Sequence, residues 1–154
     1  MASDDIRDDS ITASSYYKGD YRPPRARLYG TAGEGAWAAR KNNIGEWLQV
    51  DLGGMKSITG TIIQGQDHGD SWVTSYKLHY SADGTSSTTY TDSDGLEKVF
   101  VGNTDTNTPV TNLLEYPIDA RYVRFVVQSW HRWIGMRAEI LGCALRVVDK
   151  RIVS

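Results

Sequence analysis

The sequence holds one cysteine, Cys143, in 154 residues. No internal disulfide and no clustered-cysteine metal site can therefore form. An excess of charge of one sign is also lacking: 17 Lys and Arg face 19 Asp and Glu, for a net charge of −2. A general polyanion binder is strongly basic, so a nucleic-acid partner is excluded. No apolar run approaches the roughly 20 residues that span a bilayer as a helix. The start, Ala2-Ser3-Asp4-Asp5, lacks the basic end and apolar stretch of a secretion signal and reads as the beginning of a mature domain. There is no Asn-x-Ser/Thr sequon for N-glycosylation, no internal repeat and no low-complexity stretch. Without cross-links the fold must rest on its core, and a chain this long buries about 68–70% of its unfolded surface.

What is present leans toward β structure: 15 Gly, 9 Tyr, 5 Trp and many Thr and Val, in short apolar segments between turn residues. Leu48, Val50 and Leu52 fall on one face of Trp47–Leu52 at a spacing of two. Val73–Ser81 repeats the pattern, with Tyr76, Leu78 and Tyr80 opposite Lys77 and His79. Ala120–Trp130 does so again, with Val123, Phe125 and Val127 alternating with Arg124 and Gln128. Ile58–Ile63, Lys98–Val101 and Met136–Leu141 are further candidate strands, and Ser81–Gly95 reads as hairpin loops. No amphipathic helix of convincing length interrupts them. Many short strands imply a two-layer β-sandwich or jelly roll, because each sheet must bury its apolar face against another. Trp37 and Trp47 read as core residues, and Arg121 and Arg124 as partners of framework carboxylates. Pro23-Pro24 stiffens the chain after a loop by fixing φ.

The order of the sequence blocks adds a resemblance. Ile11-Thr12-Ala13-Ser14-Ser15, Arg25-Ala26-Arg27-Leu28, Ala36-Trp37 and Glu46-Trp47-Leu48-Gln49-Val50-Asp51-Leu52 are followed by Gln64-Gly65 and Trp72-Val73-Thr74-Ser75-Tyr76-Lys77. Arg121-Tyr122-Val123-Arg124 and Glu139-Ile140-Leu141-Gly142-Cys143 complete the series. This succession resembles the discoidin family, also called the coagulation factor V/VIII type C domain. The resemblance implies an all-β jelly-roll sandwich of about eight main strands over residues 1–143, with 144–154 as a linker or tail. It implies a non-enzymatic, extracellular recognition module whose ligand meets loops at one end of the barrel. It also implies that Cys143 pairs with a cysteine upstream of Ile6, a bond worth about 4 kcal/mol in the chain-entropy model. This sequence has no such residue, so the partner is expected before its first residue. Some relatives hold a structural calcium through loop carbonyls and a carboxylate, which makes Ca²⁺ the one cofactor to look for.

By the same resemblance four segments gather at the binding end: Tyr16–Arg22, Ala39–Asn43, Gln66–Trp72 and Trp130–Trp133. The candidate ligand-binding residues are Tyr17, Lys18, Asp20, Tyr21, Arg22 and Arg40, then Asp67, His68, Asp70 and Trp72, and finally His131, Arg132 and Trp133. Lys18, Arg22, Arg40, Lys41 and Arg132 outnumber Asp20, Asp67 and Asp70, so this face carries a mild positive bias. Taken singly, each residue also fits a bland role: Asp67-His68-Gly69-Asp70 as a solvated turn, and Trp72 as a cover for the core edge.

Three ligand classes fit such loops. Carbohydrate comes first: aromatic rings stack on the apolar face of a sugar, while carboxylates, amides, His and Arg bond its hydroxyls. Protein ligands come second. Relatives bind collagen or peptides with these loops, and Lys18-Gly19-Asp20 resembles an integrin-binding tripeptide. Anionic phospholipid comes third, because Lys18-Gly19-Asp20 and His68-Gly69-Asp70 offer carboxylates where a lipid binder would project aliphatic side chains. Catalysis is not expected. His68, His79 and His131 sit in no known catalytic motif, and His79, between Leu78 and Tyr80, should face solvent.

Overall fold

The computed structural model describes residues 6–145. It contains eight strands: β1 Ile11–Ala13, β2 Trp37–Ala38, β3 Trp47–Gln64, β4 Trp72–Ser81, β5 Thr88–Thr89, β6 Phe100–Val101, β7 Val110–His131 and β8 Gly135–Ala144. Among the described residues the helices are three single 3₁₀ turns, at Asp8–Ser10, Gly19–Tyr21 and Pro23–Ala26. The last begins on the two prolines, after Arg22 in extended conformation at φ −60° and ψ 155°, as a residue before proline prefers. The start of the chain and residues 146–154, read as part of a linker or tail, lie outside the described residues. Ala144 still belongs to β8.

The ladder runs β2-β8-β3-β7-β4-β5, with β1 added beside β3 and β6 beside β4. Two long strands make this a jelly-roll sandwich rather than an open sheet. Pairing of β3 with β7 shifts between Asp51 and Lys56, where Gly53 lies at φ +79°, and again between Ile58 and Gly60. The second shift takes up the β7 residues between Leu113 and Ile118, which include Pro117. Proline has no N–H for a ladder and is tolerated at such a bulge. These irregularities interrupt the register but not the strands, β3 continuing from Trp47 to Gln64. The segments 47–52 and 58–63, separate in the hydrophobic pattern, are therefore one strand.

Leu48, Val50, Ile58, Ile63, Val73, Tyr76, Leu78, Val123, Phe125, Val127, Met136 and Trp37 meet between the layers, all buried. The Tyr76 hydroxyl reaches Thr61 Oγ1 at 2.8 Å and accepts from Asn112 Nδ2 at 3.0 Å, so this buried polar group is satisfied. The Trp37 indole donates to Ser15 O at 2.7 Å. Trp47 departs from the core expectation. It is half-buried on the outer face of β3, covered by the Arg124 guanidinium at 3.8 Å from its ring centre. Arg124 finds the Gln49 amide oxygen at 3.0 Å, not a carboxylate. A planar guanidinium stacks well on indole, which explains the preference. His79 is also half-buried, beside Arg124 on one strand and Thr89 on the other, and burial lowers its pKa.

Arg121 does pair with a carboxylate: Nε and Nη2 reach the two Asp51 oxygens at 2.8 and 3.1 Å. That hydrogen bond holds the Asp51 carboxyl below its ordinary range, and the Gly53 N–H on Asp51 Oδ1 acts in the same direction. A depressed carboxylate pKa contributes stability above the unfolded value, about 3.9, which is lost as pH falls through the folded one. Asp51→Asn should therefore destabilise the domain modestly at pH 7, since both groups are partly exposed. The gap from the parent should close as the pH falls below about 4. Urea midpoints across that range check this, and a gap independent of pH would count against the pair.

Candidate functional site

The strand register decides which loops meet. Trp72 pairs with His131, Gln64 with Arg137 and Ala38 with Gly135, which brings the four predicted loops to one end of the sandwich. Between β7 and β8 the chain reverses through Arg132, a non-glycine residue at φ +61°. Left-handed backbone costs roughly 1–2 kcal/mol per residue and persists only when its surroundings hold it. Asn42 does so, its Oδ1 accepting from Ile134 N at 3.0 Å and its Nδ2 donating to Arg132 O at 3.4 Å. The Trp133 indole N–H adds a bond to Ala39 O at 2.8 Å.

The first loop is anchored through main chain, Tyr17 N donating to Ala38 O at 2.9 Å and Tyr21 N to Lys18 O at 2.8 Å. The third is fastened to the turn before β2, with Asp67 N on Gly35 O at 3.0 Å and His68 N on Glu34 O at 3.3 Å. Gly35 lies at φ +70°, and an added Cβ would stand 2.4 Å from Asp67 Cβ. Only glycine permits both the turn and this close approach.

These loops enclose a cavity of about 250 Å³ lined by Tyr17, Tyr21, Ala38, Gln66, Ser71 and Trp133. Tyr17 meets Tyr21 edge-on at 5.6 Å and Trp133 at 5.7 Å between ring centres. Gln66 and Ser71 are buried, and the Gln66 amide N–H is directed at Tyr21 Oη and His68 O, both at 3.4 Å. Three rings with one amide and one hydroxyl can hold a small amphipathic ligand, its apolar faces on the rings and its polar groups on Gln66 and Ser71.

The predicted residues divide into two groups. Tyr17, Tyr21 and Trp133 form the cavity. Lys18 stands at its lip, its ammonium 5.0 Å from the Tyr17 ring centre, and Arg40 lies across Tyr17 in a neighbouring groove. Lys18, Gly19 and Asp20 form an exposed tip. Arg22 donates to Gly19 O at 3.1 Å and lines a different depression with Asp8, Asp9, Pro24 and Arg25. The acids and histidines mostly pair with their neighbours. His68 Nε2 lies 3.2 Å from both Asp67 Oδ2 and Thr31 O. Asp70 takes Arg132 at 3.3 Å and His131 at 3.9 Å, and His131 stacks on Trp72 at 4.1 Å with planes 15° apart. Asp67, His68, Asp70, Trp72, His131 and Arg132 thus buttress the rim, although Asp67 and Trp72 do share one end of the molecule. Gln66 and Ser71 bound the third loop and close it by Gln66 N on Ser71 O at 2.9 Å. Neither was singled out from sequence, where only their position at the loop's edges marked them.

Among the described residues no group of three or more His, Cys, Asp or Glu side chains converges. The carbonyls of Gly30, Gly65 and Thr106 do converge, but on the Arg137 guanidinium, a resident cation. Cys143 is exposed with a free thiol.

The family model for the F5/8 type C domain matches residues 10–140. Lactadherin from Rattus norvegicus is 44% identical over 151 residues, which cover 93% of this chain and 35% of that protein. The chain thus spans about a third of the length of that relative. Recombinant discoidin II of Dictyostelium discoideum superposes with a TM-score of 0.80 at 23% identity, covering 91% of this chain and 57% of that one. The family 32 carbohydrate-binding module from C. perfringens NanJ, solved with galactose, gives 0.61 at 19% identity, covering 86% and 91%. At such identities the superpositions establish the shared β-sandwich. The sequence match goes further, and on it the chain belongs to the F5/8 type C, or discoidin, domain family.

Proposed function

We propose that this domain is a non-catalytic, extracellular recognition module that binds carbohydrate of a cell surface or matrix in the cavity between its loops. One observation carries the reading: Tyr17, Tyr21 and Trp133 surround a space of about 250 Å³ whose remaining wall includes Gln66 and Ser71. That volume lies just below the roughly 300–1,000 Å³ typical of drug-sized ligands and suits a single sugar ring. A pyranose has apolar C–H faces for the three rings and hydroxyls for the amide and the serine. The galactose complex of the NanJ module supports the choice, because that protein shares the sandwich.

The rim argues against a lipid surface as first partner. Lys18, Asp20, His68 and Asp70 are exposed around it, and burying carboxylates against anionic headgroups is costly. Ile44 is the exposed aliphatic side chain of the adjoining loop, and one such side chain supplies little membrane affinity. Among the described residues no helix is long and apolar enough to cross a membrane.

A glycan array read beside sedimentation with phosphatidylserine vesicles tests the proposal. The domain should label discrete glycans, with free saccharide competing, and stay in the supernatant with vesicles at physiological salt. A silent array together with firm vesicle binding would reverse the order of ligands.

A further inference from the structure

Across the Tyr17 ring from the cavity lies an open groove of about 570 Å³, lined by Ser14, Ser15, Tyr16, Tyr17 and Arg40 among others. Tyr17 is the wall common to both spaces. Tyr16 and Tyr17 are about half exposed, at 47% and 48%, so each offers a ring face to a ligand lying along the groove. We infer that this groove is a second subsite, in which Arg40 recognises the carboxylate of an acidic sugar unit, so that the domain binds an anionic oligosaccharide straddling Tyr17. The inference rests on the saccharide reading of the cavity and adds to it a place and a charge.

Arg40 is exposed and, among the described residues, its guanidinium has no hydrogen-bond or ion-pair partner; its main-chain N–H donates to Ser15 Oγ at 3.1 Å. Arg132 at the same end is different, being matched by Asp70 at 3.3 Å. Exposed cations are ordinary, so the surroundings decide. Glu46 places a carboxylate at the groove floor, and both serines are turned onto it, Ser14 Oγ at 2.8 Å and Ser15 Oγ at 2.6 Å from Oε1. Glu46 is therefore engaged beside the serines, and no ion pair joins it to Arg40. Lys18, with its ammonium on the Tyr17 ring, adds a second positive charge on the ridge between the two spaces. A planar guanidinium fork matches a carboxylate in two parallel hydrogen bonds, and the ring faces on either side align a pyranose with it.

Calorimetric titration with trigalacturonate and with galactotriose, its counterpart carrying CH₂OH in place of each carboxylate, tests this. The parent should bind the acid about tenfold more tightly than the neutral sugar, a difference that shrinks with added salt. Arg40→Gln should remove most of that difference, lowering affinity for trigalacturonate far more than for galactotriose. Equal binding of the two sugars by the parent, or an Arg40→Gln variant that weakens both alike, would overturn the second subsite while leaving the cavity's reading intact. Failure to bind either sugar would overturn the second subsite, and only together with a silent glycan array the cavity's reading as well. Arg40-dependent binding of phosphatidylserine vesicles in that case would assign the anion to a lipid.

Discussion

Replacing Arg137 by methionine should lower stability by about 3–5 kcal/mol, the upper range for single substitutions, reached when a buried hydrogen-bond network is broken. Arg137 is 2% exposed, on β8 opposite Gln64. Its Nε donates to Gly65 O at 2.7 Å, Nη1 to Gly30 O at 3.2 Å, and Nη2 to Thr106 O at 3.0 Å and Asn107 Oδ1 at 2.7 Å. One side chain thus fastens three segments: the turn at Gly30, the start of the third loop and the loop before β7. Gln64 reinforces the same junction, its Oε1 accepting from Tyr29 N at 2.8 Å and its Nε2 donating to Asn107 O at 2.7 Å. Burial works against the charged form of Arg137, and Asp67 partly offsets this. Methionine would fill much of the volume but leave Gly30 O, Gly65 O and Asn107 Oδ1 without donors, each costing about 1–3 kcal/mol if it stays dry, while Thr106 O keeps the Gly65 N–H at 2.9 Å. Water reaching some of them explains why the total falls short of that sum. Arg137→Lys keeps the charge but not the fork and should fall between. At this chain length each kcal/mol moves Tm by roughly 2–4 °C, so thermal unfolding should show a loss of about 10 °C for methionine. A shift within 2 °C for methionine would mean that the junction contributes little.

The same residue shows what was legible in the sequence. Alternation revealed β4 and the second half of β7 because Leu78, Val123 and Phe125 point inward while Lys77 and Arg124 point outward. The first half of β7 escaped notice because Leu113 is outward and exposed and Pro117 interrupts the period at the bulge. Strands of two or three residues, such as β2 and β5, are too short to have a period. Arg137 reads as one more polar residue in Met136–Leu141, since nothing local says that its partners lie at positions 30, 65 and 106. At the site, membership of the loops was readable but side-chain direction was not. Tyr17, Tyr21 and Trp133 turn into the cavity, whereas Asp67, His68 and Asp70 satisfy each other's neighbours. What separates the groups is long-range: the left-handed Arg132 held by Asn42, and the Gly35 turn pressed against Asp67.

Tyr17→Ala should weaken saccharide binding by about a hundredfold, equivalent to roughly 2.7 kcal/mol, while stability changes by only about 1 kcal/mol. The asymmetry follows from where the residue is anchored. Its main-chain N–H bonds to Ala38 O, and alanine retains that bond. The side chain is half exposed and touches Tyr21 and Trp133 only edge-on, contacts worth about 0.5–1.5 kcal/mol each when fully buried and less here. For a bound sugar the loss is larger, because the ring walls the cavity and the groove together and its removal merges them into one wet depression. Affinity for galactotriose and for trigalacturonate should therefore fall together, unlike the selective loss expected from Arg40→Gln. Tyr17→Phe separates ring from hydroxyl. The hydroxyl has no hydrogen-bond partner among the described residues, so phenylalanine should bind within about threefold of the parent, a difference below 1 kcal/mol. Calorimetry on the three proteins, with unfolding curves beside it, provides the check. Unchanged affinity in the folded Tyr17→Ala variant would place the ligand elsewhere on the rim, and a loss with Tyr17→Phe as large as with alanine would shift the recognition from the ring face to the phenol oxygen.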